Sequence, residues 1–150
     1  MALKLVALAL TAIAFAPGAA HLFELPAKID LGQDDYLLVQ GIYAGWALFA
    51  VPIFAAIAAN MALFVKLRRL DPTAARSAFL ASALIAISLI IFFIWVFPAN
   101  QATENWTTMP ANWDELRRNW EYGHAVNALI MFVALLATGR AIATTDRVAS

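Results

Sequence analysis

The stretch AARSAFLASALIAISLIIFFIWVF, residues 74–97, decides the class of fold. Its only charged residue is Arg76, which lies close to the start of the run. A helix needs about 20 mainly apolar residues to cross about 30 Å of bilayer hydrocarbon, and this run is long enough to do so. The stretch therefore predicts a transmembrane helix.

The composition of the whole chain agrees with a membrane protein. Apolar residues make up 63% and charged residues 13% of the 150 residues, whereas soluble domains average about 45–50% and about 25%. Ten basic and ten acidic residues cancel, which argues against nucleic acid as a partner. The chain has no cysteine, so disulfides and thiolate catalysis are excluded. We expect an integral protein of a bacterial inner (plasma) membrane, with the lipid bilayer as its first partner.

Four apolar runs of this kind are separated by polar segments. They predict an all-α integral membrane protein, a bundle of four transmembrane helices that forms a single domain over residues 1–150. The predicted spans are residues 2–25, 36–65, 74–97 and 120–143. Pro26, the Asp71-Pro72 pair and Pro98 are expected between spans, where a proline ring blocks helix continuation, and Pro52 predicts a kink inside the second span.

The basic residues predict how the bundle sits in the membrane, since short loops rich in Lys and Arg stay in the cytoplasm. Lys66, Arg68, Arg69 and Arg76 surround the link between spans two and three. That link is expected inside, so both termini are expected to be cytoplasmic. The connection over residues 99–119 is then a long outer loop. A first-turn pattern of Asn and Glu at residues 112 and 115 predicts that the last helix begins near Trp113, before it enters the bilayer.

An alternative interpretation of the first span is a cleaved signal peptide. The segment MALKLVALALTAIAFAPGAA, residues 1–20, has a lysine, an apolar core and small residues before His21. Three remaining spans would put the two ends of the mature chain on opposite sides of the membrane. We prefer the uncleaved helix.

Both histidines of the chain lie three residues from a glutamate, in the stretches HLFE (residues 21–24) and EYGH (residues 121–124). Residues three apart share one face of a helix, so His21 pairs with Glu24 and Glu121 pairs with His124. The two helices run in opposite directions. If they are neighbours, the two imidazoles lie at one depth and the two carboxylates at another, and the imidazoles should approach within about 10 Å, roughly the reach of two ligands around one centre.

Three interpretations of these four residues remain open. Glu-x-x-His is the ligand spacing of di-iron carboxylate helices, and imidazole with carboxylate suits iron, zinc, manganese or copper. One metal ion held by His21, Glu24, Glu121 and His124 is therefore a candidate. A haem held by His21 and His124 is a second, and a site without any cofactor is a third. Against all of them stands a purely structural role in the headgroup region, with hydrogen bonds to water and to Arg117.

A stripe of aromatic, basic and amide residues runs along the fourth helix at helical spacing. Its members are Trp113, Arg117, Trp120, His124, Asn127 and Met131. Such a stripe suits a flat ligand with polar edges, and it predicts Trp120, Trp113 and Arg117, together with Asn100, as substrate-binding residues. The tryptophans equally fit an interfacial belt.

Three stretches carry a resemblance to a known family: AAHLFELPAKIDL (residues 19–31), FPANQ (residues 97–101) and the W-x-x-x-H of Trp120 and His124. With the four-span layout, they resemble a small family of four-helix membrane proteins, mostly of unknown function, that includes fungal anthrone oxygenases. The resemblance covers essentially the whole chain. It implies oxidation of a tricyclic phenolic anthrone to an anthraquinone by dioxygen without a dedicated cofactor. The family often has a basic residue shortly after the motif, where this chain has Asn127.

The resemblance carries over only to Trp120 and His124. If the chain is an oxygenase, the chemistry of the reaction suggests roles for these and other residues. His124 would be the base that deprotonates the substrate, oriented by Glu121 or Glu24. Asn100 or Asn127 would donate to the developing oxyanion. The competing hypothesis is a non-catalytic membrane subunit that binds a metal, a haem, a quinone, a partner helix or a second copy of itself. Alanine-rich faces such as Ala55, Ala56, Ala58, Ala59 and Ala62 would permit the close helix contacts it needs.

Overall fold

The structure, a computed structural model, describes residues 1–148 of the chain, and all the regular structure in that range is helical. The α-helices are α1 (Ala2–Lys28), α2 (Gln33–Gln40), α3 (Ala50–Leu67), α4 (Pro72–Ile91), α5 (Phe97–Ala102) and α6 (Trp113–Val148). Four continuous helical stretches are long and apolar enough to cross a membrane: Ala2–Lys28, Trp46–Leu67, Pro72–Ala102 and Trp113–Thr144. The prediction of an all-α protein with four helices long and apolar enough to span a membrane is confirmed.

The four long helices form a square bundle in which α1 and α4 each pack on α3 and α6. Most buried core residues are alanines, including Ala7, Ala56, Ala78 and Ala134. Small side chains let helix backbones approach closely, as is usual where lipid surrounds a bundle. At Gly18 a Cβ atom would lie only 3.3 Å from the Cα of Ala128, so α1 and α6 are in near backbone contact.

A buried polar bridge connects three helices in the half of the bundle nearer the 66–76 loop. The Asn60 amide of α3 donates to the Thr11 hydroxyl of α1 over 3.0 Å, and the Thr138 hydroxyl of α6 donates to the Asn60 carbonyl oxygen over 2.9 Å. All three side chains are fully buried. Because each polar group has a partner, the bridge fixes the helix register without an uncompensated polar atom.

The second span differs from the prediction of one helix over residues 36–65. It is interrupted by two short 3₁₀ turns, Gly41–Tyr43 and Trp46–Phe49, and the α-helix resumes at Ala50. Gly45 between the turns has φ +84°, a left-handed conformation that glycine adopts without steric cost. Pro52 lies in the first turn of α3, where a missing N–H breaks no α-helical hydrogen bond. The predicted kink at Pro52 stays a prediction.

The proline boundaries are correct at one of three positions. Asp71 caps α4, its Oδ1 accepting from the backbone of Thr73 and Ala74 at 3.1 and 3.0 Å, and Pro72 begins the helix. Pro26 instead lies inside α1, close to its end. Pro98 lies inside the third span, which continues from α4 through a π-helix, Phe92–Val96, into α5. These two predictions are wrong because membrane helices tolerate proline where local adjustments satisfy the freed backbone groups.

The π-helix is packed against α6 at a glycine. A Cβ atom on Gly123 would lie 2.8 Å from Cγ2 of Val96, closer than real Cβ atoms come. Gly123 therefore lets α6 approach the widened turn directly. α6 itself begins at Trp113, as predicted, and carries the residues of the site described next.

Candidate functional site

The two imidazoles converge, as the paired motifs predicted. The ring centroids of His21 on α1 and His124 on α6 are 4.0 Å apart, with the planes 32° apart. Trp120 packs edge-on against both, at 4.8 Å from His21 and 4.3 Å from His124. Tyr43 and Trp46, from the two 3₁₀ turns, lie 4.5 and 5.4 Å from the ring of His21. The interruption of the second span thus places two aromatic rings beside the histidine pair.

A cavity of about 760 Å³ extends along this cluster between α1, the 37–54 segment, the third span and α6. Aromatic and apolar side chains make most of its wall, among them Trp46, Phe49, Phe92, Phe93, Trp120 and Met131. Its polar lining includes His21, Gln40, Asn100, His124 and Asn127. No Asp, Glu, Lys or Arg side chain lines it within residues 1–144. Aromatic walls with a few polar groups are typical of a small-molecule site.

Both imidazoles are free to interact with a ligand. Among the described residues neither forms a hydrogen bond, and Nδ1 of His21 is buried without a partner. Oδ1 of Asn127, one turn further along α6, is likewise buried without a partner. Unpaired buried polar atoms are unusual in folded proteins, and these belong to side chains that line the cavity.

Asn100 is held in one orientation by two tryptophans. Its Oδ1 accepts from Nε1 of Trp120 over 2.7 Å and from Nε1 of Trp106 over 3.2 Å. Trp106 reaches this position from a turn in which Glu104, Asn105 and Trp106 all have positive φ, between 50° and 63°. With the carbonyl oxygen engaged twice, only the amide NH₂ of Asn100 remains to donate to a ligand.

A buried ion pair lies behind Trp120. Nζ of Lys28 is 3.0 Å from Oε1 of Glu121, and the hydroxyl of Tyr36 donates to the same oxygen over 3.0 Å. Lys28 is 3% and Glu121 0% exposed, so the two charges compensate each other in a place that water does not reach. Lys28 also lies 4.8 Å from the centroid of the Trp120 ring, a cation–π distance.

The network continues from Lys28 towards the surface through a tyrosine. Nζ of Lys28 donates to the Tyr43 hydroxyl over 2.6 Å, and Tyr43 donates to Oε2 of the half-exposed Glu24. Burial, together with the carboxylates of Glu24 and Glu121, raises the pKa of Tyr43. Burial and then Glu121 raise the pKa of Tyr36. Both hydroxyls therefore stay protonated and act as donors to the carboxylates.

This network corrects the expected roles of the two glutamates. Glu121 is held by Lys28 and Tyr36, and Glu24 by Tyr43, so neither carboxylate orients His124. Within the described part of the chain, no group of three or more His, Asp or Glu side chains is placed to hold a metal ion. The donor set His21, Glu24, Glu121 and His124 does not fit a single metal. Imidazole rings whose centroids are 4.0 Å apart leave no room for a porphyrin between them, so a bis-histidine haem does not fit either.

Two of the expected substrate-binding residues lie outside the cavity. Nη1 of Arg117 donates to the backbone oxygen of Leu31 over 2.6 Å, and its Nη2 pairs with Asp114. Its guanidinium packs 4.7 Å from the ring of Trp113. Arg117 and Trp113 thus fasten the start of α6 to the α1–α2 connection. The other two, Trp120 and Asn100, do line the cavity.

The sequence interpretation missed Lys28, Tyr36 and Tyr43. Lys28 had a detectable signal, since it lies four residues after Glu24 and seven after His21, on the same face of α1. Tyr36 and Tyr43 had none, because their positions depend on the interruption at Gly41 to Gly45.

No family model, curated protein or solved structure matches this chain. The class of protein is therefore defined by the fold and the candidate site alone. The chain is an all-helical bundle with four apolar helices compatible with an integral membrane protein, and one end of the bundle holds an uncharged aromatic cavity beside a buried ion pair.

Proposed function

We propose that the chain is a membrane oxidoreductase that binds a flat phenolic, anthrone-like or quinol compound in the cavity and promotes its oxidation by dioxygen. One observation carries the proposal: two adjacent imidazoles without hydrogen-bond partners among the described residues, on the wall of a largely aromatic cavity. A neutral imidazole whose ring nitrogen has no hydrogen-bond partner can accept a proton from a bound substrate, which is the role of a general base.

The proposed chemistry needs only a base and a hydrogen-bond donor from the protein. His124 removes the acidic ring proton of an anthrone, the resulting carbanion adds dioxygen, and the imidazolium of His124 returns the proton to give a hydroperoxide. Loss of water from the hydroperoxide yields the quinone, so one anthrone and one dioxygen become one anthraquinone and one water. The NH₂ group of Asn100, oriented by Trp106 and Trp120, donates to the substrate oxygen as negative charge develops on it. Asn127 is a second candidate donor.

A second candidate function has its own support. Glu24 and Glu121 are engaged by Tyr43 and Lys28, so neither imidazole has the carboxylate partner that usually strengthens a catalytic histidine. This favours a non-catalytic subunit that binds the same class of compound, for example a quinone, and passes it to a membrane partner or to a second copy of the chain.

Oxygen uptake by the purified protein in lipid nanodiscs separates the two candidates. With anthrone as substrate, the oxidoreductase should consume dioxygen, and His124→Ala should slow uptake by about 10²–10⁴-fold while circular dichroism stays unchanged. Quenching of tryptophan fluorescence by anthraquinone serves as the binding assay. Saturable quenching without oxygen uptake would favour the binding subunit. Absence of both would reject the proposed function.

We also propose a bacterial inner membrane as the location, with the 66–76 loop and both termini in the cytoplasm. The support is the cluster of exposed basic residues, Lys66, Arg68, Arg69 and Arg76, at that end of the bundle. The cavity then lies towards the outer surface.

A further inference from the structure

The charge pattern around the cavity restricts what it can bind. Its lining contains no acidic or basic side chain within residues 1–144. The nearest buried charges, Lys28 and Glu121, compensate each other at 3.0 Å. A ligand with a formal charge would therefore find no counter-charge in the wall, and burying an unpaired charge is costly. The polar groups that remain, such as the Asn100 amide and the imidazoles, suit hydroxyl and carbonyl groups.

The mouth of the cavity opens sideways, towards the surface that faces lipid. Three phenylalanines that line the cavity are also exposed: Phe54 on α3 at 59%, Phe93 on the π-helix at 55% and Phe97 on α5 at 37%. They lie on two edges, with α3 on one side and the third span on the other. Ala47 and Ala50, small, exposed and also lining the cavity, complete the α3 edge.

The interruption of the second span creates this opening. From Ala56 and Ile85 to the 66–76 loop, α3 and α4 pack against each other in two buried clusters. On the other side of Ala56, the backbone of the second span leaves the α-helical path over residues 41–49. Irregular backbone at membrane depth is tolerated where it lines a cavity. The 41–49 segment thus forms one edge of a gap between two spans.

We infer that the site takes an uncharged aromatic compound dissolved in the bilayer, and that this compound passes between Phe54 on one side and Phe93 and Phe97 on the other. The inference rests on the proposed function and names its substrate class and its route. A second, polar edge of the cavity carries Asn105 and Thr107, which face the loop end of the bundle. An uncharged aromatic compound partitions into lipid, so the apolar mouth is the route that matches it.

Two quinones that differ by one permanent charge test the ligand class. Anthraquinone and anthraquinone-2-sulfonate are titrated against the wild-type protein in nanodiscs, with quenching of tryptophan fluorescence as the signal. The sulfonate should bind at least about a hundredfold more weakly, because its charge has no partner in the cavity. Equal affinity, after correction for partitioning into the lipid, would overturn the inference on ligand class.

Three phenylalanine substitutions test the route. Ala50→Phe narrows the lateral mouth, Thr107→Phe narrows the loop end, and Ala58→Phe is the matched control because Ala58 is an exposed alanine of α3 outside the cavity lining. Ala50→Phe should slow association of anthraquinone about tenfold, whereas the other two should leave the rate unchanged. Ala47→Phe serves as a second mouth variant if Ala50→Phe does not fold.

The outcomes separate the inference from the proposed function. If Thr107→Phe slows association instead, the ligand arrives from the aqueous side and the lateral route is wrong. If Ala50→Phe and Ala47→Phe both behave as Ala58→Phe does, the mouth plays no part in access. If the wild-type protein shows no saturable quenching, the proposed function fails and the inference fails with it.

Discussion

At the scale of single residues, the most consequential feature is that Lys28 and Glu121 are buried together. A buried pair is rarely stabilising in itself, but removal of one partner leaves the other charge without compensation. The Tyr36 hydroxyl then remains as the only hydrogen-bond partner of Glu121 among the described residues. The pair therefore makes the site end of the bundle depend on two specific side chains.

We predict that Lys28→Met lowers the free energy of unfolding by about 3–5 kcal/mol, because it leaves the Glu121 carboxylate unpaired. Thermal or denaturant unfolding of the purified protein measures the loss. The double variant Lys28→Met with Glu121→Gln should recover most of it, since a neutral amide still accepts from Tyr36. Equal stability of the single and double variants would show that the unpaired Glu121 carboxylate is not the cause of the loss.

Asn100 offers a second test at this scale. Asn100→Leu removes the acceptor of two indole N–H groups, so we expect a loss of about 1–3 kcal/mol for the buried donors left unpaired. Gln101→Leu is the control, because Gln101 is the exposed neighbour on the same helix and should change stability by less than about 0.5 kcal/mol. Unfolding curves of the two variants, measured side by side, distinguish the outcomes.

At the same scale, the sequence predicted the histidine pair well and its surroundings poorly. Helical spacing and opposite helix directions were enough to place His21 beside His124. The partner of Glu121 was not predictable from spacing alone, since an imidazole three residues away and a lysine on another helix compete for it. Lysine carries a full positive charge and therefore attracts the carboxylate more strongly than a neutral imidazole does. Only the packing of α1 against α6 decides whether the Lys28 ammonium comes close enough to Glu121.

At the scale of elements, the interrupted second span is the main difference between expectation and structure. The apolar run from residue 36 to residue 65 predicts one long helix, because hydropathy measures how apolar a segment is and carries no information on its backbone conformation. Gly45 adopts φ +84°, whereas Gly41 is right-handed with φ −59°. The two glycines look alike in sequence and differ only in the conformation that the surrounding turns impose.

We predict that Gly45→Ala lowers the free energy of unfolding by about 1–2 kcal/mol, because a Cβ atom is unfavourable in the left-handed region. No neighbouring atom lies within 4 Å of that Cβ position, so the cost is conformational alone. Gly41→Ala is the matched control, with equal space and an ordinary φ, and should be neutral or stabilise by up to about 1 kcal/mol. Equal effects at the two positions would contradict the described backbone.

At the scale of the whole molecule, the number of spans was predictable and the cavity was not. Four apolar runs predict four helices, however those helices pack against one another. The cavity needs side chains from α1, the 37–54 segment, the third span, the 105–107 loop and α6, and its volume depends on how far these segments stand apart. No local pattern in the sequence reports such a distance.

The orientation of the bundle is testable because the chain contains no cysteine. Single cysteines at Arg69 and Thr107, both exposed, should react with an impermeant maleimide from opposite sides of sealed inner-membrane vesicles. The positive-inside rule places position 69 in the cytoplasm. Labelling of both positions from the same side would contradict the four-span topology, and labelling on reversed sides would contradict the proposed orientation alone.

The π-helix at Phe92–Val96 sets the rotational phase of the rest of the third span. The N–H of Phe97 donates to the oxygen of Phe92, five residues earlier, so one residue is accommodated without advancing the α-helical repeat. Each residue of an α-helix turns the chain by about 100°. Deletion of one residue from a uniform α-helix would therefore rotate Asn100 by about that angle, whereas deletion of Ile94, which is 70% exposed, would remove the extra residue of the π-helix and leave Asn100 facing Trp120. The third span can thus lose one residue at this position and keep its binding wall.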